Sequence, residues 1–191
     1  MSNLAENHGI PDPSEVSMRP TAQRYGLLGA LILIVIGLVF NLTGMISYTD
    51  QSSPANIASQ IIQLAVIIGV IVVTIKTHKN EELGGYITLG RAFKIGVLAG
   101  IIIAIITGIW SYVFMTFIDP DIIEIIRENA YEQALAQGTS ESDLEAGKAF
   151  FDFFTGPGFI SSMAAIVLVF ISVIVSLVVG AVMKEEAPMF Q

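Results

Sequence analysis

Four long runs without a charged residue dominate this sequence of 191 residues. They are residues 26–46, 57–75, 95–118 and 159–183. A helix of about 19 residues extends about 28 Å, which is close to the roughly 30 Å thickness of the hydrocarbon layer of a bilayer. Only helices and closed barrels satisfy their backbone polar groups in lipid, and the alternating strands of a barrel do not occur in this sequence. The runs therefore predict an all-α integral membrane protein with four transmembrane helices.

The composition agrees with this prediction. Hydrophobic residues make up 53% of the chain and charged residues only 14%, whereas soluble domains carry roughly 25% charged residues. There is no cysteine, which excludes disulfides and thiolate metal sites. The net charge of −8 argues against a protein that binds nucleic acid.

The basic residues indicate how the chain is oriented. Two lie in the long segment after the third span, Arg127 and Lys148. The other seven flank the spans or lie between the second and the third: Arg19, Arg24, Lys76, Lys79, Arg91, Lys94 and Lys184. Because cytoplasmic loops are enriched in Lys and Arg, both termini are expected in the cytoplasm and residues 119–158 outside. The membrane domain is then 25–184, between a disordered cytoplasmic tail (1–24) that lacks the features of a secretion signal and a second tail (185–191).

The outward segment 119–158 predicts a helical hairpin. Asp119, Pro120 and Asp121 are typical of a helix start, Gly138 ends that helix, and Ser140 begins a second helix that runs to Phe154. Nine acidic and two basic residues give this segment a charge of −7. Clustered carboxylates such as Asp119, Asp121 and Glu124 can hold a divalent ion. Helix capping already explains the Asp-Pro-Asp motif, so we expect no metal site and no cofactor.

Small residues recur every four positions along the third span. The set is Ala92, Gly96, Gly100, Ala104 and Gly108, and the fourth span offers Ser172, Ser176 and Gly180 as a matching set. Such spacing lets the backbones of two helices approach closely. The stripe therefore predicts helix packing, either within the chain or at a homo-oligomer or partner interface.

Few polar groups are available inside the spans. Asn41, Gln60 and Gln63 fall at similar depth near the outer ends of the first two spans and could form a polar cluster. No span carries Asp, Glu, Lys, Arg or His, which ion-coupled transporters normally keep at mid-membrane. His8 and His78 are far apart and are interpreted as lone, exposed side chains without a role.

The loop between the second and third spans carries a distinctive pattern. Residues 82–96 read Glu-Leu-Gly-Gly-Tyr-Ile-Thr-Leu-Gly-Arg-Ala-Phe-Lys-Ile-Gly. This resembles the signature of a bacterial membrane family, domain of unknown function 4199, found mainly in Bacteroidota. In that signature a glycine-containing turn and an Ile precede Gly-Lys-Ala-Phe and a span that opens on Gly. The matching residues are Gly84, Gly85, Gly90, Arg91, Phe93 and Lys94, with Arg91 standing where Lys is usual.

The resemblance covers roughly residues 23–184. It implies a four-helix protein of the bacterial inner membrane, and the family has no assigned activity. Departures from the signature are Arg91 and Leu89, where Phe is common, and neither removes the charge or the bulk at its position.

Three functions are compatible with these features. The favoured one is a non-enzymatic scaffold or accessory subunit in the lipid bilayer, packing with itself or with a membrane-protein partner through the stripe of the third span. An oligomeric small-solute transporter or channel is the alternative, lined by the polar cluster around Asn41. The third is an interfacial enzyme on lipid-linked substrates that uses Asp119 and Asp121. We expect no enzymatic activity because the sequence contains no catalytic constellation.

Overall fold

The computed structural model describes residues 12–50 and 52–186. Its α-helices are α1 (Arg19–Leu42), α2 (Pro54–Thr77), α3 (Leu89–Val113), α4 (Asp121–Ala136), α5 (Glu141–Ala146), α6 (Lys148–Phe154) and α7 (Pro157–Met183). The π-helical turns His78–Glu82 and Phe114–Ile118 extend α2 and α3. Within the described ranges no strand forms, and a single antiparallel bridge pairs Ile87 with Glu185. The all-α prediction is confirmed.

Four of these helical segments are long and apolar enough to cross a membrane. They are Arg19–Leu42, Pro54–Glu82, Leu89–Ile118 and Pro157–Met183. Large apolar side chains along them stay exposed, among them Ile109, Phe170 and Val178. In a bilayer such side chains face lipid and need no protein partner.

The first helix differs from its predicted span at both ends. It begins at Arg19, so the last residues of the predicted disordered tail are helical. It ends at Leu42, where Gly44 adopts a φ of 68° and Met45 N–H donates to the carbonyl of Phe40 at 2.9 Å. This is a Schellman cap, which closes a helix through a glycine in the left-handed conformation.

The chain folds into two compact units. The terminal unit comprises Met1–Ala30, Ala65–Ile103 and Leu168–Gln191, and the hairpin unit comprises Leu31–Leu64 and Ala104–Val167. Large apolar side chains that are fully buried define the core of the terminal unit: Ile71, Ile75, Leu83, Ile95 and Ile103. In the hairpin unit Ile122 and Met115 are buried.

The small residues of α3 in the terminal unit contact those of α7. A Cβ atom added at Gly100 would overlap Ser172 Cβ, and one added at Gly96 would lie 2.5 Å from Ser176 Oγ. A Cβ added at Gly180 would lie 3.4 Å from Ala92 Cβ. The two sets of small residues that the sequence analysis matched therefore meet within one chain.

The hairpin unit continues the same pattern. A Cβ added at Gly108 would lie 3.0 Å from Ala165 Cβ, and Ala104 is buried. In each unit α7 of the same chain therefore contacts the stripe, at Ala92, Gly96 and Gly100 in the terminal unit and at Gly108 in the hairpin unit. A partner helix would have to bind elsewhere.

The hairpin forms, with two corrections to its predicted helices. Asp119 does not cap α4, because Pro120 holds the N-cap position and no side chain accepts a hydrogen bond there. The second arm breaks at Gly147 into α5 and α6 instead of forming one helix. Ser140 caps α5 as predicted, since its hydroxyl accepts from Asp143 N–H at 3.2 Å.

Candidate functional site

His78 is fully buried in the terminal unit, so its interpretation as an exposed side chain was wrong. The reason is that the helix does not stop at Lys76 but continues through the π-helical turn His78–Glu82. His78 then follows Ile71, Thr74 and Ile75, all buried, at the i, i+3, i+4, i+7 spacing of a single helix face. That spacing was the sequence signal that could have placed the ring inside.

The imidazole of His78 is bonded at both nitrogens. Nδ1 lies 2.6 Å from Oε2 of Glu82, and Nε2 lies 3.0 Å from Nε of Arg91. A guanidinium N–H can only donate, so Nε2 must be the unprotonated nitrogen and Nδ1–H donates to the carboxylate. The ring is therefore held in its neutral, Nδ1-protonated form, between the carboxylate of Glu82 on the same turn and the guanidinium of Arg91 on α3.

The carboxylate of Glu82 also connects to the first helix. Its second oxygen, Oε1, accepts a short hydrogen bond from the hydroxyl of Thr21, which is itself buried. Nearby, the hydroxyl of Thr77 donates to the hydroxyl of Tyr25 at 3.1 Å. Polar contacts thus join α1 to the end of the second span in the terminal unit.

Arg91 extends this network to the segment that precedes α1. Its Nη1 and Nη2 atoms donate short hydrogen bonds to the carbonyl oxygens of Pro13 and Val16. With Nε on His78, the guanidinium holds three acceptors at once. A fork of fixed N–H groups suits this geometry, whereas a lysine at this position would offer a single nitrogen. We call Thr21, His78, Glu82 and Arg91 the buried polar network.

The other residues of the family-like loop shape the turn around this network. Gly84 and Gly85 have φ values of 66° and 98°, a conformation that side chains other than glycine rarely adopt. Gly85 N–H donates to the carbonyl of Lys79 at 2.8 Å. Gly90 and Lys94 are exposed and Phe93 is half-buried. Of the six matching residues, only Arg91 enters the buried polar network.

The C-terminal segment is tied to the same loop. Ile87 and Glu185 exchange backbone hydrogen bonds of 2.8 and 2.9 Å. Lys79 Nζ lies 2.7 Å from Glu185 Oε2 and donates to the carbonyl of Met183 at 3.3 Å. The central loop therefore holds both ends of the described chain within the terminal unit.

The hairpin unit does not join Asn41 to Gln60 or Gln63. Asn41 Nδ2 donates to the hydroxyl of Tyr48 at 2.8 Å, while Gln60 is exposed and Gln63 half-buried. Burial raises the pKa of the Tyr48 phenol above its ordinary value.

Asn56, which sequence reasoning did not single out, organises the loop before α2. Its side chain accepts from Ser47 N–H at 3.0 Å and donates to the carbonyls of Ser47 and Asp50 at 2.7 and 2.9 Å. Asn129 of α4 donates to the backbone carbonyl of Tyr48 at 3.0 Å. These contacts fix the loop between α1 and α2 against α4.

The hairpin contains an open cleft of about 420 Å³. Arg127 of α4 lies 3.3 Å from Asp152 of α6, and the rings of Tyr131 and Phe151 meet edge to face with centroids 6.3 Å apart. We call this space the hairpin cleft. Its lining consists of Glu124, Arg127, Glu128, Tyr131, Leu144, Glu145, Lys148, Phe151 and Asp152.

The carboxylates of the hairpin cleft are largely free. Glu124, Glu128 and Glu145 are exposed, and no ion pair in the described part of the chain engages them. Across residues 12–50 and 52–186, no group of three or more His, Asp or Glu side chains is placed to hold a metal ion. The cleft therefore combines aromatic rings with an excess of carboxylates over its two cations, Arg127 and Lys148.

The four long apolar helical segments define a multi-pass membrane protein. The family described as "Protein of unknown function (DUF4199)" matches residues 24–185. The chain therefore belongs to that family, as its central loop predicted. No curated protein and no solved structure matches the chain.

Proposed function

We propose that this protein is a non-catalytic accessory or scaffold subunit of the bacterial inner membrane, and that it binds a partner protein at the hairpin cleft. The observation that carries the proposal is the cleft itself, with its unpaired Glu124, Glu128 and Glu145 beside the Tyr131 and Phe151 rings. Aromatic anchors within a polar rim are typical of protein–protein interfaces.

The occupation of the small-residue stripe supports this location. Because α7 of the same chain contacts Gly96 and Gly100, the stripe does not offer a surface for another helix. We therefore infer that the partner binds at the hairpin and not along the third span. The lipid-facing sides of the spans remain free to lie beside the partner's own helices.

Charge defines the kind of partner. Residues 119–158 carry nine acidic and two basic residues, and Arg127 is already engaged by Asp152. A segment rich in Lys and Arg, with an apolar side chain to lie against Tyr131, would complement this surface. The proposed partner is a membrane protein that presents such a segment on the same side of the bilayer.

Charge reversal inside the hairpin cleft tests this proposal. We expect Glu128→Lys to remove a partner that co-purifies in mild detergent, because it places a cation where the basic segment binds. Glu132→Lys makes the same charge change one turn further along α4, outside the cleft, and should retain the partner. Mass spectrometry and band intensities of the two purified proteins give the measurement.

The outcome of that comparison is decisive in both directions. Equal partner content in the two variants would contradict binding at the cleft. A pure homo-oligomer without any companion would contradict the subunit proposal and favour the transporter alternative, for which solute flux in vesicles is the assay.

The proposed orientation makes a separate prediction. Seven of the nine basic residues lie outside residues 119–158, so the positive-inside rule places the termini and the central loop in the cytoplasm. An alkaline phosphatase reporter fused after Gly138 should be active, and one fused after Glu81 inactive. The reversed pattern would invert the orientation and place the hairpin cleft in the cytoplasm.

A further inference from the structure

Four phenylalanine rings form an exposed cluster where α6 leads into α7. The ring centroids of Phe150 and Phe154 lie 4.4 Å apart, and those of Phe154 and Phe159 lie 4.6 Å apart. Phe153 joins both Phe154 and Phe159 at 5.3 and 5.7 Å. Phe150 and Phe153 nevertheless remain 71% and 64% exposed. A contiguous aromatic surface of this kind marks an interaction site.

The cluster occupies a defined face of α6. Phe150, Phe153 and Phe154 follow the i, i+3, i+4 spacing of neighbours on a helix surface. Phe151 and Asp152 point instead toward α4, where they contact Tyr131 and Arg127. The hydroxyl of Thr155 lies 3.4 Å from Arg127 Nε. The contacts with α4 therefore fix the direction in which the phenylalanine face is presented.

The position of α6 along the chain indicates what covers this face. Phe154 ends α6 and Pro157 begins α7, the last membrane-spanning helix, so α6 lies where that span leaves the hydrocarbon. Exposed apolar side chains continue from the cluster along α7 within the hairpin unit, namely Met163 and Ile166. A lipid-facing strip on the span thus runs without interruption into the phenylalanine face.

We propose that the cluster of Phe150, Phe153, Phe154 and Phe159 inserts into the boundary between lipid headgroups and acyl chains, so that α6 is an interfacial membrane helix. Helices that lie in the membrane interface bury a face of Phe, Trp or Leu side chains at the boundary between headgroups and acyl chains. An open hollow of about 650 Å³ borders the cluster and offers room for a lipid group; its lining consists of Asp152, Phe153, Gly156, Gly158, Phe159 and Ser162.

Insertion of the phenylalanine face into lipid also determines which way the hairpin cleft opens. Phe151 and Asp152 line the cleft and contact α4, and Asp152 also borders the hollow beside Phe153. With the phenylalanine face in lipid, the cleft opens toward water. The lipid contact itself does not depend on any partner, so it stands or fails independently of the proposed function.

Fluorescence quenching in vesicles tests the lipid contact. The chain has a single tryptophan, so Trp110→Phe provides a silent background for Phe150→Trp in the full-length protein. The purified protein is reconstituted into phosphatidylcholine vesicles in which part of the lipid is brominated near the headgroup or near the chain end. We expect Phe150→Trp to lose most of its emission with bromine near the headgroup and to resist quenching by aqueous acrylamide.

Two reference positions calibrate the result. Glu141→Trp, on exposed α5, should respond to acrylamide and not to brominated lipid. Phe170→Trp, within the fourth span, should respond most to bromine near the chain end. Quenching of Phe150→Trp by acrylamide alone, as at position 141, would overturn the proposal. Phe153→Trp repeats the test on the same face if the first variant fails to fold.

Discussion

Gly100→Ala is expected to destabilise the protein by about 1–3 kcal/mol, the usual cost of forcing an extra methyl group into a packed interface. The added Cβ would overlap Ser172 Cβ of α7, and neither helix backbone can move without disturbing the neighbouring pair of Gly96 and Ser176. Thermal unfolding in detergent, followed by the loss of the monodisperse peak in size-exclusion chromatography, gives the measurement.

Gly69→Ala is the matched control. Gly69 also lies inside a membrane-spanning helix, but a Cβ there would meet nothing within 4 Å. Its unfolding temperature should remain close to that of the parent protein. Similar losses of unfolding temperature in both variants would show that the effect comes from replacing any helical glycine and not from contact with α7.

The reciprocal swap sharpens this prediction. Ser172→Gly removes the Cβ that Gly100→Ala would overlap, so the double variant should recover most of the stability lost by Gly100→Ala. The recovery would be incomplete, because Ser172 Oγ also donates to the carbonyl of Leu168 at 2.8 Å. A double variant less stable than either single variant would contradict the close contact between α3 and α7.

Glu82→Ala is expected to have the second large effect. It removes the acceptor of both the His78 Nδ1–H group and the Thr21 hydroxyl, and both of these residues are buried. Each donor left without a partner costs about 1–3 kcal/mol. The same unfolding assay should show a loss at least as large as that of Gly100→Ala.

Glu81→Ala provides the control for this variant. Glu81 is the adjacent residue on the same turn, carries the same charge and is exposed. Its replacement should leave the unfolding temperature almost unchanged. Equal effects at positions 81 and 82 would show that only the net charge of the loop matters and that the buried polar network contributes nothing.

The membrane-spanning helices could be predicted from the sequence because their signal is strong and local. Long uncharged runs leave a chain few alternatives in lipid, and all four runs fall mainly within helices of the structure. The small residues of α3 and α7 were also recognisable by their spacing. Whether the two sets would meet within one chain or between two chains was not, since the periodicity of a helix does not show which copy of the matching helix packs against it.

The buried polar network was missed for a physical reason. His78, Glu82 and Arg91 are common loop residues in sequence, and a rule based on charge ends the helix at Lys76. The π-helical turn His78–Glu82 continues the helix. It can do so because the carboxylate of Glu82 and the guanidinium of Arg91 form hydrogen bonds with the ring nitrogens of His78, which burial would otherwise leave without partners. The hydrogen bonds of Thr21 with Glu82 and of His78 with Arg91 join separate helices. A local sequence pattern cannot predict such tertiary contacts.

The hairpin shows the same limit on a smaller scale. Ser140 was recognised as a cap because capping is local. The polar partner of Asn41 was not, because Tyr48 lies beyond the end of α1 and its backbone carbonyl is in turn bonded by Asn129 of α4. The break at Gly147 was not predicted either: this residue, with φ −90° and ψ 7°, ends α5 and begins α6.

Site-specific photo-crosslinking in the native membrane tests the central claim most directly. A benzoylphenylalanine replacing Tyr131 lies in the hairpin cleft, and one replacing Gln133, exposed on the same helix, lies outside it. We predict that irradiation yields one discrete adduct from position 131 and none from position 133. No adduct at position 131, or the same adducts from both positions, would contradict a partner bound at the hairpin cleft.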